Sequence, residues 1–314
     1  MTMRLERSVL LVPGSSSKMI AKAAAAGADA VCIDLEDAVA LTEKEAARAN
    51  VRSAFTDLDF GRSLRMLRIN GLDTPFAYRD LVEIVEDVGD RVDLIVVPKV
   101  DTPADVEFVD RLLTQIEQHR GIEHPIGVEA LIETAAGGMN VREIAASSGR
   151  LEALVYGSGD YAASMQMPMN AIGEFDDNDA LYPGHRWHHV MHVIVGAARA
   201  HGKRAIDGPF GGVRDPDGLH RACQIGRAMG FDGKWCIHPA QVDPVNATFV
   251  PSTRELEWAQ TVVAAYDVAV EEGKGAVSVD GTMIDVASLR MCQTVVERAR
   301  LAGLLPTATE SGPS

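Results

Sequence analysis

The sequence predicts a (β/α)8 barrel followed by a C-terminal helical lid. Three observations lead there. Eight short apolar, strand-like runs alternate with helical patterns from Ser8 to Ile237. Polar residues recur at the ends of those runs, as though ringing one mouth: Asp34, Glu36 and Asp37, Arg68 and Asn70, Lys99, Glu133, Asp160, Asp207 and His238. A doubly wound sheet, the main competitor, would gather them at its switch point. Finally, no G-x-G-x-x-G follows the first strand and no Walker A motif is present, so nucleotide cofactors have no support.

Taken in order, Ser8–Pro13 reads as a strand, followed by GSSS and the Ala-rich helix Lys18–Ala26. Ala30–Leu35 is the second strand, and Thr42 to Glu45 has the S/T-x-x-E form of a capping box opening the helix Glu43–Phe55. Leu64–Ile69 and the helix Tyr78–Val88 come next, then Val92–Val97 and Pro103–His119, whose Val106, Val109, Leu112, Leu113 and Ile116 form an apolar stripe. Strands five and six enclose MNVREIAASS and are closed by Glu133 and Asp160. The helix Trp187–His201, the strand Arg204–Ile206, the helix Leu219–Met229 and the strand Lys234–Ile237 complete the barrel, assigned to residues 1–250. Met165–Pro183 is polar, acidic and too long for an ordinary barrel loop, which marks a functional loop over the mouth. Residues 251–303 read as helix (Thr253–Glu272), short hairpin and helix (Val286 to about Leu301), the lid; 304–314 read as a disordered tail.

With 314 residues, 46% hydrophobic, the chain has the composition of an ordinary globular protein. A net charge of −15 argues against nucleic acid or an anionic membrane as partner. No run is long enough to span a membrane, and no charged-then-apolar leader is read at its start. The four cysteines are scattered without C-x-x-C spacing, as expected of free thiols in the cytoplasm.

Glu133 and Asp160 carry the sharpest chemistry. Two carboxylates at adjacent strand ends suit Mg2+, with Mn2+ as the second choice, and the glycines of GSGD permit close approach to the backbone. Solvated acids or helix caps are the plain alternative. Arg68 in RING could hold a carboxylate or a thioester oxyanion, or make an ion pair with Glu36 or Asp37. Glu36 and Asp37 could accept from metal-bound waters, or Asp37 could cap a helix. Lys99 is read as a partner of the mouth acids. His185, His188, His189 and His192 imitate a metal cluster, but their apolar neighbours mark a barrel helix. His238 is read as packed or capping, and Ser15–Ser17 with Lys18 and Lys22 as a helix start where phosphate could rest. Asp285 reads as a cap for the last helix.

LVPG, DLEDAVA, RINGLDTPFAYRD, VPKV, EALIETAAG, GSGDYAAS, AIDGPFG, GKWCIHPAQ and GTMIDVASL occur in this order over nearly the whole chain. With them the sequence resembles the citrate lyase β-subunit/HpcH aldolase family, and within it the malyl-CoA lyases. The resemblance implies a barrel with a C-terminal lid, a homotrimer or homohexamer, and Mg2+ at Glu133 and Asp160. It also implies that Arg68 stabilises a thioester enolate, and that Asp285 is delivered by the lid to a neighbouring subunit. Lys22 would contact CoA, with Ser16 standing where some relatives carry an arginine. The implied reaction is reversible Claisen-type cleavage of malyl-CoA or β-methylmalyl-CoA to glyoxylate and acetyl-CoA or propionyl-CoA. A malyl-CoA thioesterase, a citramalyl-CoA lyase and a subunit acting on an acyl-carrier partner remain as alternatives.

Overall fold

The computed structural model describes residues 4–182 and 186–306. Eight strands form a closed, all-parallel barrel: β1 (Ser8–Pro13), β2 (Ala30–Asp34), β3 (Leu64–Arg68), β4 (Leu94–Val97), β5 (Gly127–Ile132), β6 (Leu151–Tyr156), β7 (Arg204–Asp207) and β8 (Gly233–Cys236). Each strand pairs with the next and β8 returns to β1, so no edge is left unpaired. The strands are short and almost wholly buried, because helices cover the outside while side chains fill the inside. Val9, Cys32, Met66, Val96, Val155 and Trp235 belong to the interior cluster. Successive side chains alternate between the barrel axis and the helices, and that parity decides which mouth residues point inward.

Helix Pro103–Arg120 shows how local sequence sets the boundaries. Thr102 and Asp105 form a reciprocal capping box, Pro103 occupies the first turn, and Gly121 ends the helix in the left-handed region at φ 68°. The box expected at Thr42 does not form. A 3-10 turn, Leu41–Glu43, precedes the helix Lys44–Asp57, whose N-cap makes no side-chain bond. Lys44 is instead drawn inward, its ammonium donating to the carbonyls of Leu35 (2.6 Å) and Glu36 (2.7 Å). Those two bonds hold the helix start against the β2 exit.

Two compact units are distinguished, Glu6–Ala247 and a second containing the segment from Thr248 onward. The C-terminal unit has its own core. Helix Thr253–Glu271, opened by a Ser252–Glu255 capping box, packs with helix Val286–Leu301 and the hairpin β9 (Val277–Val279) and β10 (Thr282–Ile284) around Val262, Tyr266, Ile284 and Val296. The tail expected to be disordered lies, from residue 307 on, outside the described residues. No described helix is long and apolar enough to cross a membrane.

The barrel's N-terminal pole holds a buried acidic pair. Arg204, first in β7, donates to Glu6 (2.8 Å), Glu129 (3.1 Å) and Glu152 (3.1 Å). Glu6 and Glu129 are both almost fully buried. Burial, together with the charge of Glu6, pushes Glu129 well above the usual carboxylate range, and burial raises Glu6 as well. The folded state therefore holds a proton that the unfolded chain releases near pH 4.5. This stabilisation is complete below that pH and is lost as pH rises towards the folded value, by about 1.4 kcal/mol per unit. Glu129→Gln, which mimics the protonated form, is expected to melt above wild type at pH 8, with the gap closing towards pH 5. Thermal denaturation across that range is the check.

Candidate active site

The C-terminal mouth gathers the acids and cations expected there, around one clamp. Asp34 ends β2, Arg68 ends β3, and the two are register partners. By strand parity both point inward, above Cys32 and Met66. Arg68 Nε and Nη2 donate to the two Asp34 oxygens at 2.6 and 2.7 Å, a bidentate pair. Its Nη1 lies 2.9 Å from Glu36 Oε2, and the guanidinium sits 5.7 Å from the Trp235 ring centroid. Burial alone would lower the Arg68 pKa; Asp34 and Glu36 more than offset it, so the guanidinium stays charged. Only two of its five N–H groups are used on Asp34.

The sequence places Asp34 among the mouth residues, and the inward parity of DLED, 34 and 36 together, is the signal that singles it out. Its oxygens also accept from the backbone N–H of Glu36 (2.9 Å) and Ala38 (3.1 Å), which fixes the turn leaving β2. Of the two readings kept for Arg68, the ion pair with Glu36 is present, and Asp34 is the stronger partner. Asp37 is exposed and pairs with Lys99 at 3.1 Å; it caps no helix, since the next one starts at Lys44.

Glu133 lies one residue beyond β5 and is almost fully buried. Asp160 does not close a strand: β6 ends at Tyr156, and Asp160 stands in the first turn of helix Ser158–Ser164. A turn through Gly157 separates the two elements. A Cβ on Gly157 would lie 2.5 Å from the Glu133 Cβ, so the glycine lets the backbone close over that carboxylate. Lys99 joins the group as expected. Its ammonium hydrogen-bonds Glu36 and Asp37 and comes within 4.0 Å of Asp160. Its backbone N–H donates to Glu133 Oε1 at 3.0 Å. Burial, then the charges of Glu36 and Asp160, push Glu133 up to about 8 against the pull of Arg68 and Lys99.

These residues fit a hard divalent cation. Glu133 is a buried carboxylate among like charges, and Glu36 Oε2, which meets Arg68 as an ion pair but accepts no aligned hydrogen bond, can receive one from a cation-bound water. All donors are oxygen, as Mg2+ prefers. Among the described residues no group of three or more His, Cys, Asp and Glu side chains is arranged to hold a metal. A cation held by only two carboxylates takes its other ligands from water or substrate.

The remaining candidates make other contacts. Ser16 caps the first helix, its Oγ accepting from Met19 N (3.4 Å), and Lys22 is exposed in that helix's last turn. Asp285 caps helix Val286–Leu301, accepting from Ser288 N (2.9 Å) and Oγ (3.1 Å); the bond from that backbone N–H holds its carboxyl below the usual range. His238 caps a short turn through Ala240 N (3.1 Å). His188 and His192 meet edge to face, and His185 lies outside the described residues. The long segment from Met165 folds onto its neighbours. Arg186 pairs with Asp176 and Asp179 at 3.2 Å each, and Gly211 N donates to Ile172 O (2.7 Å). Ile172 thereby packs on Gly159, beside Asp160.

Fold and site define a (β/α)8 barrel whose C-terminal mouth gathers buried carboxylates around one clamped guanidinium. The chain belongs to the HpcH/HpaI aldolase/citrate lyase family, whose profile matches residues 7–239. It is 43% identical over 304 residues, 95% of this chain and 96% of the relative, to an L-malyl-CoA/beta-methylmalyl-CoA lyase of Cereibacter sphaeroides. To a (3S)-malyl-CoA thioesterase of the same species it is 38% identical, covering 89% of each chain. Among solved structures it is similar to the protein CitE from Mycobacterium tuberculosis in complex with magnesium, acetoacetate and coenzyme A. The TM-score is 0.74 at 31% identity, covering 94% of this chain and 98% of that one.

Asp34→Asn is expected to lower stability by about 3 kcal/mol, because it strips a buried guanidinium of its bidentate partner. Asp37→Asn, at an exposed position, should stay within about 0.5 kcal/mol. Urea denaturation of the two variants side by side checks this; equal effects would refute the clamp.

Proposed function

We propose that the protein is an Mg2+-dependent CoA-ester lyase. It would cleave L-malyl-CoA, β-methylmalyl-CoA or both, reversibly, to glyoxylate plus acetyl-CoA or propionyl-CoA. The observation that carries this reading is the charged, clamped Arg68 beside the Glu133 and Glu36 carboxylates, in a chain 43% identical to a lyase of that name. Magnesium and coenzyme A together in a similar solved structure support the same cofactor and substrate class here.

In this reading Glu133 and Asp160 hold the cation, while Glu36 and Asp37 accept hydrogen bonds from its waters. When bound, Mg2+ would polarise the substrate's carboxylate and hydroxyl oxygens and lower the hydroxyl pKa. Breaking the C–C bond sends its electron pair into the thioester, as an enolate. Arg68 is fixed before the charge appears, so its unused N–H groups can stabilise the enolate oxygen without reorganising. Asp285, ionised by its lowered pKa, would remove the proton from the acyl carbon in condensation; in cleavage the same carboxylate would take up the proton that the substrate hydroxyl loses in becoming the glyoxylate carbonyl, and pass it to the enolate carbon. Asp285 would be supplied by the C-terminal unit of a neighbouring subunit in a trimer or hexamer. Lys22 and Ser16 would meet the CoA phosphates. Four buried free cysteines fit a reducing, cytoplasmic setting.

Incubating L-malyl-CoA with protein and Mg2+ should release glyoxylate and acetyl-CoA. Malate and free CoA without acetyl-CoA would place the chain with the thioesterase instead, and pyruvate from citramalyl-CoA would move the acyl assignment. Failure to release glyoxylate from any 3-hydroxy-3-carboxyacyl-CoA sinks the lyase reading. Asp160→Asn should lower kcat by at least about 100-fold. Mixing inactive Asp285→Ala and Arg68→Ala proteins should restore part of the activity if sites are shared between subunits, and none if each chain works alone.

A further inference from the structure

Lys99 has more contacts with the acid cluster than a simple ion-pairing residue needs. It is held at φ 50°, a left-handed conformation in which a long side chain is strained. In that conformation its backbone N–H reaches Glu133 Oε1 (3.0 Å), while its ammonium hydrogen-bonds Glu36 and Asp37 (3.1 Å) and lies 4.0 Å from Asp160 Oδ1. One residue therefore touches both carboxylates assigned to the cation and both assigned to its waters. Strain at a site persists where several surrounding contacts fix it, and here every one of those contacts is to the cluster.

The charges make the role specific. Asp34 and Arg68 neutralise each other as a bidentate pair. That leaves Glu36, Asp37, Glu133 and Asp160 gathered at the mouth; Arg68 Nη1 meets Glu36 alone among them, whereas the Lys99 ammonium pairs with Glu36, Asp37 and Asp160. We propose that the Lys99 ammonium is a built-in counter-cation that holds the carboxylates together in the metal-free protein and competes with the metal for them. Metal binding is then an exchange of one cation for another, and affinity is set partly by how readily Lys99 gives up Asp160 and Glu36. The αL amide keeps Glu133 aimed at the site in either state. Lys99 is a positioning residue: it acts on the ligands and touches no reacting atom. The inference rests on the assignment of the cation to Glu133 and Asp160.

Competition and simple structural support predict opposite signs. If Lys99 only propped the carboxylates, removing its charge would loosen the site and weaken metal binding. If it competes, removing the charge leaves the cluster more negative and tightens binding, since a divalent cation gains most from the extra field. Calorimetric titration of Mg2+, with Mn2+ as a second probe, into substrate-free protein at pH 8.5 decides between them. Lys99→Met and Lys99→Gln should bind at least five-fold more tightly than wild type, and Lys99→Arg should return to near the wild-type value. Unchanged or weaker binding in whichever neutral variant retains the wild-type melting profile overturns the proposal. Asp160→Asn is run alongside. Its binding metal as well as wild type would mean that the ligand assignment has failed; loss of binding there, with no tightening at residue 99, would reject only the role given to Lys99.

Discussion

The Asp34–Arg68 pair is the constraint on which the mouth depends. It is a cross-strand contact, since β2 and β3 are in register at these two residues. Above the pair, the N–H of Leu35 donates to the carbonyl of Arg68 at 2.9 Å, so backbone and side chains lock the same junction. An arginine buried in a barrel is costly unless its partner is fixed and geometrically matched. Asp34 meets both conditions, being itself held by two backbone N–H groups from the turn it begins. The result is a guanidinium immobilised by Asp34 on one edge and by Glu36 at Nη1, with N–H groups left over beyond those two partners. That is the form an oxyanion stabiliser requires, because a flexible cation would have to be ordered during the reaction.

Much of this was legible in the sequence. The alternation of apolar runs with helical stripes gave the barrel, because all-parallel strands are covered on both faces and read as continuous apolar segments. Recurrence of polar residues at strand ends marked the mouth. What stayed hidden is what depends on three-dimensional competition. The box at Thr42 looked complete, yet the buried Lys44 ammonium, bonded to two β2-exit carbonyls, determines how that helix begins. Asp160 looked like a strand end because GSGD follows an apolar run directly, but the chain turns at Gly157 and starts a helix. Asp34 was one acid among three in DLED, and only its inward parity singles it out. Left-handed Lys99 had no signal, since lysine carries no preference for that region.

The two poles of the barrel use the same ingredients differently. At the N-terminal pole Arg204 meets Glu6, Glu129 and Glu152, and the excess negative charge is relieved by retaining a proton. At the mouth the excess is larger and partly solvent-exposed, with Asp160 about half accessible. There the charge is relieved by Lys99 and, in the function proposed, by a divalent cation. A closed, buried carboxyl pair takes up a proton; an open one with unsatisfied oxygen acceptors can admit a hydrated ion. Access, rather than residue type, separates a structural acidic cluster from a metal-binding one.

The same reasoning divides the labour between the acids assigned to the reaction. Glu133 is pushed up to about 8 by burial among like charges, so its deprotonated form gains most from a cation placed against it. Asp285 is held below the usual carboxylate range by the N–H of Ser288, so it is ionised without help. A carboxylate that needs a metal is suited to being a ligand. One that is anionic on its own, at the start of a helix in a separate compact unit, is suited to exchanging protons with carbon. Environments that drive two carboxylates apart in acidity are how a single residue type supplies both roles. In this chain that separation follows from one acid being built into the barrel and the other belonging to a different compact unit.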